Sequence, residues 1–482
     1  MIHLSRENVF LSKENLSFLF ASVALSIPAI LIDHNLLLVF PLIIIIMLSF
    51  VYGERFIISI VMIALFTLVG EFTKSLRIVI QLSGIGVISY LFLSRYGLDF
   101  KNYRQIPKSL LYTIILYLFA IAVSSAMSDY PSLGIPIFFR QFLFIVVVYL
   151  FYSLINNHLD IKNYINSIII VALIIVTISL TYFIIEGFDI LDLVSINRVR
   201  VSILITNMEA LTNFYVISFP FIVIGLLIKK NLLNKYLYYF LTFYISLGLI
   251  LTMSRSAFLG IAVSTAIILF LVRRKLFFSF IFTLTLIVLI FIFVKPLNEL
   301  IYLVFRFEEG MSQRDLIWIM SVDMIKDHVV FGIGPGANNY VMLNYFPYML
   351  DDYFGKSLIY FAEISGGVNV SHNIFLAFFT EMGLLGLMTI IIIPVIFFII
   401  GIKTIKKYRD ESLDIYYLII ALFAAGVSVI FRNFFNSIGI LYIGGIYTDL
   451  PFWLLFGSLI YFYYAPLSEN QLNTVQNKYS NI

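Results

Sequence analysis

The chain has 482 residues, 61% of them hydrophobic and 12% charged, with a mean hydropathy of +1.02 and a formal net charge of +4. A soluble domain carries roughly 45–50% apolar and about 25% charged residues, so this composition excludes a soluble globular protein. So small a net charge gives no reason to expect nucleic acid, and the absence of cysteine removes disulfides, thiol nucleophiles and thiolate metal sites together.

The polar residues 1–15 run straight into the first apolar stretch and resemble the lead of an uncleaved signal anchor. Apolar runs near 20 residues then recur, the length that crosses a hydrocarbon core of about 30 Å. They predict about 14 membrane spans, with 12 or 13 left open because the first two are short and tightly joined. The spans fall near 16–32, 36–52, 56–72, 76–94, 109–128, 138–156, 164–186 and 208–228, then near 236–253, 256–272, 277–295, 374–401, 414–431 and 449–464. The organisation that follows is N-terminal membrane helices over 1–190, helices with arginine-bearing turns over 191–295, a long polar loop over 296–371, C-terminal helices over 372–465 and a tail over 466–482.

If the spans alternate, the basic clusters Lys229-Lys230-Lys235, Arg273-Arg274-Lys275 and Lys403-Lys406-Lys407-Arg409 share one side with Arg95, Lys101, Arg104 and Lys108. That side carries 19 of the 31 lysines and arginines, against 12 on the other. The richer side is cytoplasmic by the positive-inside rule, so both termini lie inside and the long loop faces outward.

Outward loops should be poor in arginine, yet Arg140, Arg198, Arg200, Arg255, Arg306, Arg314 and Arg432 sit there singly. Each one alone is compatible with snorkelling at the interface. Together they suggest an extracytoplasmic pocket for an anion, because the planar guanidinium donates paired hydrogen bonds to phosphate and stays charged. Arg255 falls in a tight turn, Met253 to Gly260, whose small residues allow close approach.

In the long loop, Ser312-Gln313-Arg314-Asp315 reads as a capping box that starts a helix running towards Val330. Arg314 would lie in the first turn, where it opposes the helix dipole, so a functional reason is more plausible there than for an average surface arginine. Gly332 stops the helix. Gly332-Ile333-Gly334-Pro335-Gly336 is either a plain turn or a set of backbone amides that help to hold a diphosphate. A nucleotide loop is excluded by its outward position and by the lack of a preceding strand.

His372 is one of five histidines and the last outward residue before a span, with Asn373 beside it. Two roles remain open for it: a structural helix start, or a general base with a pKa near 6.5. Glu381 lies half a turn round the helix from it and is no obvious acid–base partner. Asp351-Asp352 and Glu308-Glu309 are adjacent pairs without metal-ligand spacing, so no metal and no cofactor is expected.

Three stretches in this order resemble the O-antigen ligase and polymerase family of bacterial envelope glycan enzymes. They are Arg255 with Leu259; Arg314 to Trp318 followed by Lys326-Asp327-His328 and Phe331 to Tyr340; and His372-Asn373, nine residues, then Gly383-Leu384-Leu385-Gly386-Leu387. A weaker match is Arg198, nine residues before Asn207, where Thr206 replaces the family's proline. The resemblance covers roughly 195–400.

It implies an all-α, GT-C-like integral membrane protein of about 12–14 helices, with a large extracytoplasmic loop carrying short helices. The enzyme would sit in the bacterial inner (plasma) membrane with its active site on the periplasmic face. It would transfer a glycan from an undecaprenyl diphosphate-linked donor, without metal and with inversion, to an acceptor sugar hydroxyl. The acceptor is another lipid-linked glycan in a repeat-unit polymerase and lipid A–core in a ligase; membrane lipid and a chain-length regulator are the other implied partners. His372, Arg255 and Arg314 would be catalytic, Arg198 and Arg200 would join both arginines on the diphosphate, and Asn373, Gly334 and Gly336 would support them. A polymerase is favoured slightly, because ligases of the family commonly have about 12 spans. A lipid-linked oligosaccharide flippase fits worse, since it needs polar residues lining a mid-membrane cavity rather than charges at an outer rim.

Overall fold

The computed structural model describes residues 54–67, 74–97, 103–185, 187, 208–228, 232–252, 254–294, 314–345, 371–441 and 446–466. Among them there is no strand, and every predicted span they cover is a helix. The chain is an all-α integral membrane protein. The helices are α1 (Glu54–Thr67), α2 (Lys74–Tyr96), α3 (Lys108–Met127), α4 (Pro131–Ser153), α5 (His158–Ile185), α6 (Met208–Ile228), α7 (Leu232–Thr252), α8 (Arg255–Val272) and α9 (Arg274–Phe293). Then come α10 (Arg314–Asp327), the single turn α11 (Asn338–Val341), α12 (Ile374–Lys407), α13 (Leu413–Arg432) and α14 (Ile446–Tyr464). Eight of them, α3 to α8 with α12 and α13, are both long and apolar enough to cross a membrane. The predicted spans 16–32 and 36–52 lie outside the described residues.

The helices are apolar nearly all round rather than along one stripe, as expected where lipid replaces water on the outer face. Exposed Phe139, Phe243, Phe278 and Phe282 need no burial in such a solvent. At the centre runs α13, which packs on α6, α8, α12 and α14. Gly260 lets α8 and α13 approach closely: a Cβ there would stand 3.2 Å from the Ser428 carbonyl. This is the close packing that the small residues after Arg255 suggest.

Two boundaries move. The span expected at 138 starts at Pro131, a residue suited to a helix's first turn because its missing N–H is not needed there. The span expected over 374–401 is a 34-residue helix, about 51 Å long against a core of about 30 Å. It is not continuous. Gly383 has φ 61° and ψ −153°, and the chain bends there.

The bend is stabilised by the segment after α10. In an unbroken helix the Leu384 amide would bond the Thr380 carbonyl. Here it bonds Val329 O at 2.9 Å, while the Thr380 carbonyl accepts from Ile333 N at 2.9 Å. Gly334 N then reaches Glu381 O at 3.0 Å, and the Ser124 hydroxyl of α3 donates to that same oxygen at 2.7 Å. Residues 329–334 thus complete the interrupted ladder, which matters most where water cannot substitute. The neighbour that the glycine at 383 admits is this loop, not a second helix: a Cβ on Gly383 would lie 2.2 Å from Val330 O, and one on Gly332 would lie 2.4 Å from the Glu381 carbonyl carbon.

The described part of the long loop, 314–345, has a small core of its own, formed by Ile317, Met320, Met324, Ile333, Ala337 and Met342. Tyr345 donates to Asp327 at 2.8 Å and ties the final 3₁₀ turn (Met342–Tyr345) to the end of α10. Burial and that bond push its phenol up to about 12.

Candidate active site

His372 stands at the junction where α10, α12 and the end of α13 meet. Its φ of 47° makes it the one non-glycine residue with left-handed backbone among the described residues. Such a conformation is costly for a side chain larger than glycine's, and it persists only where neighbours fix the chain on both sides. Those neighbours are visible.

On one side, the buried Ser371 accepts from Trp318 Nε1 through its carbonyl at 2.9 Å and from Ser321 Oγ through its hydroxyl at 3.0 Å. On the other side, Asn373 caps α12: its Oδ1 accepts from the amides of Phe375 and Leu376 at 2.9 and 3.1 Å. Its Nδ2 donates to Phe434 O at 3.0 Å, and Ile374 N donates to Asn433 O at 3.1 Å. Asn373 supports His372 by fixing the helix start. The imidazole between these anchors is half-buried.

Trp318 and Ser321 belong to α10, and Arg314 precedes them by four and seven residues, one and two helical turns. All three therefore lie on one face of α10, and that face docks on Ser371. Arg314 thus belongs to the helix that anchors Ser371, the residue before His372. The helix start expected at Ser312 lies outside the described residues, and α10 ends at Asp327, three residues short of expectation.

Arg255 is the first residue of α8. Its neighbour Ser256 is buried and accepts from Arg432 Nε at 3.4 Å. Arg432 closes α13, and the next two residues hold the start of α12 through the Asn433 and Phe434 carbonyls. The Arg255 turn is thereby linked to the His372 turn across a single arginine.

Arg198 and Arg200 lie outside the described residues. Gly334 and Gly336 have φ of 106° and 78°, and the Gly334 amide is engaged by Glu381. The glycine loop docks on the bend of α12. The expected anion-facing position of Arg432 is corrected. Its side chain is fully buried, with Nη1 donating to Asn213 Oδ1 at 2.8 Å. An arginine directly after an apolar run gives no sign in the sequence of whether it turns outward or inward. That Ser371, Trp318 and Ser321 anchor the turn was also not legible, although Trp318 closes one of the motifs read from the sequence, since hydroxyls and indoles near membrane surfaces are common.

Two cavities adjoin. One, lined by apolar and tyrosine side chains, lies between α3, α4, α12 and α14, with Leu110, Ile114, Phe144, Ile393 and Trp453 among its walls. The second is lined by Ala377, Glu381, Pro335 and Ser437, and shares Tyr117 and Leu441 with the first. Ala377 lies five residues after His372 in the chain, and neither cavity has His372, Arg255 or Arg314 in its lining. Among the described residues no three His, Asp or Glu side chains come together as a metal would require.

Residues 240–391 match a protein-family model described as O-antigen ligase, a stretch that contains Arg255, Arg314, Gly334, Gly336, His372 and Asn373. The resemblance read from the motifs is borne out over that stretch, and it supports glycosyl transfer in O-antigen or surface-glycan biosynthesis. No curated protein matches the chain.

Proposed function

We propose that this multi-pass membrane protein, which carries an O-antigen ligase match over residues 240–391, is a metal-independent inverting glycosyltransferase that polymerises lipid-linked repeat units on the outer face of a bacterial inner membrane. The observation that supports it best is the meeting of the His372, Arg314 and Arg255 segments at one end of the bundle, with His372 held in a strained turn.

The donor is a glycan on undecaprenyl diphosphate. Its diphosphate binds the guanidinium groups of Arg255 and Arg314, with Arg198 and Arg200 in support, and its polyprenyl tail lies along the apolar interior. The larger cavity has the apolar lining an isoprenoid chain requires. The acceptor hydroxyl of a second lipid-linked glycan attacks the anomeric carbon from the side opposite the diphosphate. As the new C–O bond forms, the bond from the anomeric carbon to the phosphate oxygen breaks. His372 takes the hydroxyl proton, and undecaprenyl diphosphate leaves with the bonding pair, its charge met by arginine rather than by a metal. Single displacement inverts the centre. The ligase reading, with lipid A–core as acceptor, is favoured by the description of the matching family; the chemistry is unchanged.

The test is turnover of a synthetic undecaprenyl diphosphate-linked repeat unit by purified protein. His372→Ala should lower turnover by roughly 10²–10⁴-fold with donor binding nearly intact, and the native activity should survive EDTA. Normal turnover by His372→Ala would leave His372 a helix-start residue and remove the mechanism; loss with EDTA restored by magnesium would remove the role given to arginine.

A further inference from the structure

Arg432 is a cation placed where cations are expensive. It is 0% exposed and among the largest fully buried side chains of the described residues. Around it the polar groups are as buried as it is: Asn213 and Asn433 at 0%, Thr448 and Asp449 at 1%. Asn213 takes the Arg432 fork on its oxygen at 2.8 Å and donates from its Nδ2 to Thr448 O at 2.9 Å. Asp449 accepts from Gly439 N at 2.9 Å and from the Thr448 hydroxyl at 3.2 Å. One connected network thus joins α6, α8, α13 and α14.

Stability alone is a weak reason for such a network. Apolar side chains of similar volume commonly serve as well as buried charged groups, because desolvation offsets the attraction. What the charged network adds is direction. The fork of Arg432 sets Ser256, and so the first turn of α8 that carries Arg255, while the residues immediately after it set the first turn of α12 that follows His372.

We infer that Arg432 is a positioning residue for glycosyl transfer: it touches no substrate but fixes the grip on the diphosphate, at Arg255, relative to the base, at His372. This rests on the site reading above. A displacement of about 1 Å between reacting groups can lower a rate by about 10²-fold without loss of binding.

The experiment compares native protein with Arg432→Met, Arg255→Ala and the double variant, each full-length, monodisperse in detergent and at equal concentration. The substrate is the synthetic lipid-linked repeat unit, and undecaprenyl diphosphate alone is the binding probe. Arg432→Met should elute as native, bind the probe within about three-fold of native and turn over about 10²-fold more slowly. In the Arg255→Ala background the same change should cost only a few-fold, because the alignment it protects is already lost. Arg432→Lys should recover part of the loss, since one ammonium can meet Asn213 but cannot reproduce the fork. Native turnover by Arg432→Met, or a full further loss of about 10²-fold on top of Arg255→Ala, overturns the proposal while the site reading stands. Native turnover by Arg255→Ala itself overturns the site reading, and this proposal with it. If Arg432→Met does not fold, Asn213→Ala carries the test by removing the 2.8 Å acceptor of the guanidinium together with the donor to Thr448 O. It should lose about ten-fold in turnover, again sub-additively with Arg255→Ala, and native turnover there also overturns the proposal.

Discussion

The two ends of the bundle use the same residue types for different work. At the basic end, cations meet the ends of helices. Lys407, in the last turn of α12, donates to the Phe462, Tyr463 and Ala465 carbonyls at the end of α14. Arg95, in the last turn of α2, donates to the Leu154 carbonyl at the end of α4. Those positions favour positive charge, because exposed carbonyls and the negative end of the helix dipole both lie there. Arg104 lies 5.9 and 5.2 Å from the Tyr152 and Tyr461 rings, and Arg55 pairs with Asp160 at 2.9 Å.

At the other end, Arg255 is the first residue of α8, where the dipole opposes it, and Arg314 is carried by α10. The dipole therefore does not favour Arg255 there, just as it does not favour Lys108 and Arg274 at the starts of α3 and α9. The backbone at this end is also strained, at His372 and at the bend of α12.

Three experiments break or sharpen that contrast. The largest effect is expected at Gly383. An alanine there meets Val330 O at 2.2 Å and must adopt a left-handed backbone, so Gly383→Ala should destabilise by about 1 kcal/mol for the backbone and about 1–3 kcal/mol for the overlap. Thermal unfolding in detergent checks this, and an unchanged Tm would mean that the loop does not dock on the bend. Next come the two arginines. Arg255→Ala and Arg314→Ala should each lose a charge-assisted contact of about 1.5–3 kcal/mol, roughly ten- to 150-fold in turnover at subsaturating donor, with Lys retaining more than Ala. Equal loss for Lys and Ala would mean that bidentate geometry, rather than charge alone, is the requirement. The smallest effect belongs to the basic end. Lys407→Met should cost about 1 kcal/mol of stability and leave turnover per folded molecule unchanged. A lowered turnover at constant stability would show that the basic end also communicates with the site.

The sequence by itself determined the class of fold and the chemical vocabulary of the site. Membrane spans are legible because a hydrocarbon core imposes one length and one composition, and neither depends on what a helix packs against. The order Arg255, Arg314, His372 was legible for a similar reason, as isolated polar residues in an apolar chain. What only the tertiary structure decided was which polar groups face one another. The bend at Gly383 exists because residues 329–334 take over the hydrogen bonds that the helix gives up, a bargain between segments about 50 positions apart. Trp318 and Ser321 hold Ser371 across a similar separation, and Arg432 reaches 176 positions back to Ser256 and 219 back to Asn213. Composition and local pattern carry no record of such pairings. In lipid an arginine at a helix end turns outward to phosphate or inward to a polar network according to what the neighbouring helices offer it, and the neighbours are set by packing.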